Sequence, residues 1–295
     1  MNKAPRIGII CGSGMDRLSI VQNAQRVDIT TAFGTPSGTV TLAEIAGVPV
    51  AIVNRHGVGH RLLPSEINVR ANVAALKQLG VEQVISFSAV GSLQEQAPPG
   101  TFVLVDQYID RTYKRANTFY GSGVVAHVPF GEPVCADNRA ALGKALAHLD
   151  IPYLASGTYV VMEGPQFSTR AESLFHRQIG GTVIGMTAMP EPKLCREAEL
   201  CYAMVAMVTD FDCWHATHDA VNAAMVSARM ADNLKKAEAL LAHVIPGLAG
   251  REAQCSNGCQ HALDGAIMTH FDLITPDVAE RFTPLLNRAL AHGNG

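Results

Sequence analysis

No apolar run in this chain approaches the roughly 20 residues that a membrane-spanning helix needs, and only 17% of its residues are charged, with a formal net charge of -3. Neither a membrane nor a nucleic acid is therefore expected as a partner. The opening "MNKAPRIGIICGSGMD" has too short an apolar core for a secretory signal, so a cytoplasmic location is expected. Cysteine is sparse as well: seven in 295 residues, an odd number spread thinly, which argues against an extracellular disulfide framework. The exception is "CSNGCQH" at 255 to 261, where Cys255, Cys259 and His261 fall close together. A metal site there needs a fourth ligand that the sequence does not name, so a local disulfide or free thiols are expected instead. Repeats and low-complexity linkers are also missing, which favours one domain over residues 1 to 295.

What is present is an ordinary globular composition, 48% apolar with 26 glycines. Short β-branched runs read as buried strands at 6 to 12, 48 to 54, 81 to 90, 100 to 109, 157 to 164, 180 to 187 and 201 to 210. Apolar residues at helical spacing mark helices over 65 to 79, 137 to 149, 169 to 178 and about 219 to 243. The alternation predicts an α/β fold, a largely parallel or mixed sheet with helices on both faces. Ligands of such sheets settle at the carboxyl ends of strands, so chemistry is sought just after each run.

Four strand ends carry hydroxyls and cationic donors. "CGSG" brings Ser13 between Gly12 and Gly14, a turn suited to an oxyanion, although the P-loop lysine and the third dinucleotide glycine are absent. "NRHGVGH" sets Arg55 beside His56 with His60 four residues on, and an arginine fork matches phosphate oxygens. "SFSAVGS" adds Ser88, Ala89 and Gly91, and "GMTAMPE" adds Met186 and Thr187. Taken singly, these are a tight turn, a solvated Arg–His pair and a core methionine. Taken together they would surround one phosphate. No carboxylate cluster suited to Mg²⁺ accompanies them, which favours a free, nucleophilic phosphate over a metal-bound triphosphate.

A fifth strand end, "TDFDCW", places Asp210 and Asp212 two residues apart. If the chain stays extended both carboxylates point to one side and Phe211 turns away. The plainer reading is a pair of exposed acids capping the next helix.

These motifs, with "PSEINVRANVAAL", "DQYIDRT" and "EGPQFSTRAE", fall in order from about residue 6 to 245. The chain so read resembles the trimeric purine nucleoside phosphorylase family, most closely its 5'-methylthioadenosine phosphorylase branch. The resemblance implies one domain around a twisted mixed sheet, partly closed as a barrel, and a homotrimer. It assigns Ser13, Arg55, His56, Ser88, Ala89 and Thr187 to phosphate, Met186 to the ribose, Phe167 and Ser168 to the purine pocket, and Asp210 and Asp212 to the base. His60 and the helix start around Val221 to Val226 would line the 5' pocket, and His127 would arrive from a neighbouring subunit. No cofactor or metal is implied, only inorganic phosphate as co-substrate. The chain departs from the family pattern at Cys11, Gly185 and Pro192, and the tail from about 250 onward matches least well.

Phosphorolysis breaks the C1'–N9 bond, leaving positive charge on the ribosyl ring and negative charge on the purine. A bound phosphate stabilises the first, and a carboxylic acid at N7, its pKa raised by burial beside a second carboxylate, neutralises the second. In the 6-oxopurine branch an asparagine replaces the first acid and a glutamate the residue at Ser168; here both positions take the adenine-type form. Val221, Ala223 and Val226 favour a thioether at the 5' end. The expected reaction is phosphate-dependent cleavage of 5'-methylthioadenosine to adenine and 5-methylthioribose 1-phosphate. The alternatives are a phosphorylase of methylthioinosine or of inosine and guanosine, a phosphate-independent hydrolase, and a non-catalytic nucleoside-binding protein.

Overall fold

A computed structural model describes residues 4–292 except 13–14, 16–17, 216–222 and 252–253, and only the backbone of 223–228 and 292. The strands are β1 (Ile7–Cys11), β2 (Gln22–Val27), β3 (Val40–Ile45), β4 (Val48–Asn54), β5 (Gln83–Ser92) and β6 (Phe102–Val105). They continue with β7 (Gln107–Asp110), β8 (Tyr153–Leu154), β9 (Thr158–Val161), β10 (Val183–Gly185) and β11 (Cys201–Asp210). The helices are α1 (Val69–Gln78), α2 (Ala136–His148), α3 (Arg170–Gln178), α4 (Glu191–Glu197), α5 (Ala223–Ala249), α6 (Pro276–Arg281) and α7 (Asn287–His292).

All strands join one mixed sheet in the order β2-β3-β4-β1-β5-β10-β9-β7. At β5 it branches: β11 pairs parallel to β5 and antiparallel to β6, which carries β8. The expected partial closure into a barrel is not realised among the described residues, because β7 and β8 each pair on one side only. Every residue of β11 is buried, which explains why its sequence is a continuous apolar run instead of an alternating one.

Side chains of β11 alternate between two cores. Val205 and Met207 pack with Leu142 and Leu146 of α2 and Leu240 and Leu241 of α5, whereas Met204, Ala206 and Val208 pack with Val73 and Leu76 of α1 and Leu194 of α4. Helices therefore cover both faces, as the alternation of elements predicted. Local signals set the helix starts: Asn68 accepts from Ala71 N–H at α1, and Thr169 with Glu172 forms a capping box at α3. A third cluster joins Tyr120 and Val124 to Leu263, Ile267, Phe282 and Leu286, so the tail packs over the 119–128 loop.

The run read as one strand over 100 to 109 breaks into β6 and β7, with Asp106 between them accepting from Gly157 N–H. β2 and β3 escaped the sequence reading; β2 is a polar, solvent-exposed edge strand with no apolar face to betray it. No helix among the described residues is long and apolar enough to cross a membrane.

Candidate active site

One cavity of about 460 Å³ opens where β1, β4, β5, β10 and β11 end. It is lined by Gly12, Arg55, His56, Ser88, Ala89 and Thr187 at one end and by Asp210 and Asp212 at the other, with Met186, Met162 and Phe167 between and beside them. His60 also lines it. Residues as far apart in sequence as Arg55 and Thr187, separated by 132 positions, are thus gathered as the strand-end argument requires. Ser13 and Val221 lie outside the described residues, as does the side chain of Val226. Ser168 sits behind the wall, half-buried, its hydroxyl acting on Asp212. His127 is exposed and does not line the cavity, its N–H bonded to Ala266 O at 2.8 Å.

Arg55 is almost wholly buried, and its fork is not open as the motif suggested. Nε and Nη2 form an ion pair with Glu191 Oε1 and Oε2 at 2.5 and 3.2 Å, Nη2 also donates to Ser86 Oγ, and Nη1 donates to Phe87 O. Of five N–H groups one remains, on Nη1. It faces the glycine turn: a Cβ on Gly12 would stand 2.9 Å from Nη1, so only glycine keeps that approach clear. Glu191 in turn accepts from Ser86 Oγ at 2.7 Å and Tyr202 Oη at 3.0 Å. Burial lowers the pKa of the guanidinium and Glu191 raises it, with a net upward shift, so Arg55 stays charged.

His56 lines the same end of the cavity. Its Nδ1–H donates to Leu62 O at 2.9 Å, and burial, opposed by that bond and helped by Arg55, holds its pKa down at about 4. With Nδ1–H engaged, the neutral ring offers Nε2 as an acceptor. Its ring stacks on His60 at 4.0 Å. Hydroxyls supply the donors instead: Ser88 Oγ lies 3.1 Å from both Thr187 Oγ1 and Tyr159 Oη. Tyr159 was not foreseen. It explains the departure at Gly185, where any Cβ would stand 2.1 Å from the Tyr159 oxygen. Pro192 is accommodated too, since it falls in the first turn of α4, where a missing N–H costs nothing.

At the other end the chain does not stay extended. A bulge between Val208 and Asp210 breaks the register with β5, and Asp212 takes a left-handed φ of 52° as a 3₁₀ turn begins. Both carboxylates still face the cavity because the turn folds them against Gly91, where a Cβ would stand 2.9 Å from Asp210 Oδ1 and 3.3 Å from Asp212 Cβ. Asp210 Oδ1 accepts from Asp212 N–H at 2.8 Å, and its Oδ2 lies 2.7 Å from Thr209 Oγ1. Asp212 Oδ2 accepts from Ser173 Oγ at 2.5 Å. Burial raises both pKa values; the charge of Asp212 adds only a small further push on Asp210. The acids are thus not exposed helix caps, and burial rather than mutual repulsion is what elevates them.

Arg115 buttresses the wall from outside. Its Nη1 donates to Met186 O and Met189 O at 2.6 and 2.7 Å, and its Nε pairs with Glu163 at 3.2 Å. Glu191 and Glu163 were legible only as the last carboxylate of "GMTAMPE" and the first of "EGPQFSTRAE", with nothing in sequence to pair them with arginines.

A family model described as the phosphorylase superfamily matches residues 6–246. The chain belongs to this superfamily. S-methyl-5'-thioadenosine phosphorylase of Bradyrhizobium diazoefficiens is 46% identical over 96% of this chain and 98% of its own length, and that of Koribacter versatilis is 47% identical over 96% of each. A methylthioadenosine phosphorylase crystal structure from an Antarctic soil metagenomic library superposes with a TM-score of 0.90 at 43% identity, covering 97% of this chain and all of that one. The Schistosoma mansoni enzyme in complex with adenine superposes at 0.85 with 34% identity, over 90% and 99% of the two chains. The resemblance carried by the strand-end motifs is borne out by these matches, and the fold is that of these phosphorylases.

Proposed function

We propose that the chain is a phosphorylase that cleaves 5'-methylthioadenosine with inorganic phosphate, giving adenine and 5-methylthioribose 1-phosphate. The observation that carries this reading is one cavity with hydroxyl and arginine donors at one end and two buried, pKa-raised carboxyls at the other. Phosphate lies on Ser88, Thr187, the free Nη1 hydrogen of Arg55 and the Ser13 turn, with Ala89 supplying backbone. Met186 supports the ribose, and attack at C1' then proceeds opposite the departing purine, with phosphate charge stabilising the ribosyl cation.

Asp210 is the acid that neutralises N7. Thr209 has one hydroxyl proton and two acceptors, Val90 O at 3.1 Å and Asp210 Oδ2 at 2.7 Å. A proton held on Asp210 Oδ2 satisfies both contacts. Asp212, receiving the Ser173 hydroxyl, is the ionised partner that accepts from the 6-amino group. Leu63 and Pro64 beside His60, with Met230 of α5, give an apolar wall suited to a methylthio group.

A homotrimer completes the site. Exposed Phe167, Val125 and Met268 are the apolar surface it would cover, and His127 beside Val125 enters the neighbouring cavity. The enzyme works in the cytoplasm with no cofactor. The test is adenine release from 5'-methylthioadenosine by purified protein, with and without phosphate, alongside inosine, guanosine and methylthioinosine. Equal release in phosphate-free buffer refutes phosphorolysis, and preference for an oxopurine nucleoside refutes the assigned base.

A further inference from the structure

Far from the cavity, at the opposite end of β11, four cysteine sulfurs meet. Cys201 opens β11, Cys135 precedes α2, and Cys255 and Cys259 lie in the tail after α5; their Sγ atoms are all within 4.8 Å of one another. All four residues are buried. The structure thus supplies Cys135 and Cys201, from positions 66 residues apart and far from the CSNGC turn in sequence. His261, the third candidate by sequence, is instead paired with Asp264 at 3.3 Å.

We propose that these four cysteines hold a structural Zn²⁺ ion as a tetrathiolate. A tetrahedron with Zn–S bonds of about 2.3 Å has edges of about 3.8 Å, so six sulfur pairs all under 4.8 Å need only a small contraction. Two disulfides would instead draw the sulfurs into two pairs at about 2.05 Å each. The surroundings suit thiolates. Cys259 N–H donates to Cys255 Sγ at 3.3 Å and Gln260 Nε2 donates to Cys201 Sγ at 3.2 Å, and such donors stabilise anionic ligands. Cys135 stands at the positive end of the 13-residue helix α2.

Charge points the same way. Four thiolates around Zn²⁺ carry a net charge of −2, their four protons released on binding. Arg251, near enough to act on Cys135, has Nε and Nη1 buried with no hydrogen-bond partner among the described residues. An anionic cluster is the counter-charge that such a buried guanidinium needs. The turn is also preformed: Gly258 takes a left-handed φ of 61°, Asn257 Oδ1 accepts from Ala136 N–H, and Ser256 bonds Asp137 twice, at 2.8 and 2.7 Å. The ion would clip the tail to β11 and α2, and with it the 119–128 loop on which Ile267 pairs with Ala126.

The test is metal analysis of the full chain, purified without a metal-binding tag, together with thiol counting under denaturing conditions. One zinc per chain is expected, falling to near zero in both Cys135→Ser and Cys259→Ser, and removal of zinc by a strong chelator should lower the melting temperature by several degrees. Cobalt substituted for zinc should show the absorption of a tetrahedral tetrathiolate. Metal-free protein with all seven thiols free, or with two disulfides and three thiols free, or iron in place of zinc, overturns the proposal. Because the analysis is made on the unaltered chain, failure of a variant to fold does not blunt it.

Discussion

Replacing Glu191 by glutamine tests whether the anion end is built on a clasped arginine. Glutamine keeps the size of the side chain. With its oxygen at the Oε2 position it retains the contacts from Ser86, Tyr202 and Arg55 Nη2, but its amide then faces Arg55 Nε–H, donor against donor. Both partners of the ion pair are 1% exposed, so the arginine charge is left buried without a counter-ion. Breaking a buried pair from one side costs roughly 3–5 kcal/mol, and the retained contacts argue for the lower figure, about 3 kcal/mol. For 295 residues, at about 2.1 cal/mol/K each, the unfolding entropy is about 620 cal/mol/K, so the melting temperature should drop by about 5 °C. The guanidinium also loses what aims its last Nη1 hydrogen at the cavity. One charge-assisted bond of about 1.5 kcal/mol corresponds to about a tenfold rise in the KM for phosphate, with the nucleoside KM changed far less. Calorimetry and steady-state kinetics with each substrate varied would measure both. An unchanged melting temperature and phosphate KM would refute the clasp. A fall in phosphate KM would refute it as well, since Glu191 would then compete with phosphate instead of orienting Arg55.

Two further outcomes follow from the acids and the histidine. Asp210→Asn leaves the local bonding intact, because the new amide can donate to Thr209 while Thr209 donates to Val90 O; turnover of aminopurine nucleosides should fall by about 10²–10⁴ and that of oxopurine nucleosides less, and equal losses in the nucleoside panel would sink the assignment of Asp210 as the acid. His56, neutral in the fold with a pKa of about 4, leaves the unfolded chain to bind the proton as pH falls below about 6.5, so stability should decline between pH 6.5 and 4 by at most about 3 kcal/mol. Denaturant melts of the wild type against His56→Asn should show this slope only in the former, the buried acids contributing equally to both; parallel curves would mean that the ring takes up its proton in the folded state.

Much of this was legible in the sequence because strand ends carry their function beside an unmistakable apolar run. β4 and β11 were bounded to the residue by composition, and the residues after them line the cavity. What escaped has physical reasons. β2 offers no apolar face. Glu191 and Tyr159 are chemically ordinary until the sheet branches at β5 and brings them to Arg55 and Ser88. The left-handed turn at Asp212 follows no local rule, since aspartate rarely adopts it without tertiary support. The four cysteines required the same long-range information: CSNGC showed two ligands, and only the register of β11 and the start of α2 reveal the others.

The two ends of the cavity solve one electrostatic problem in opposite ways. A bare buried arginine would bind a phosphate dianion tightly and cancel the charge needed to stabilise a ribosyl cation. Here Glu191 has already neutralised Arg55, and His56 is held uncharged. Phosphate therefore meets hydroxyls and one N–H, donors that position it while leaving its charge to act on the sugar. At the base end burial raises the pKa of Asp210, which favours the protonated carboxyl that can neutralise the purine as it leaves. On this reading the transition state, positive at the sugar with negative charge on either side of it, is met by a site with no net positive charge of its own. The field that stabilises it comes mainly from the nucleophile and from a proton already in place, which ties catalysis to the presence of phosphate and not to a fixed charge of the protein.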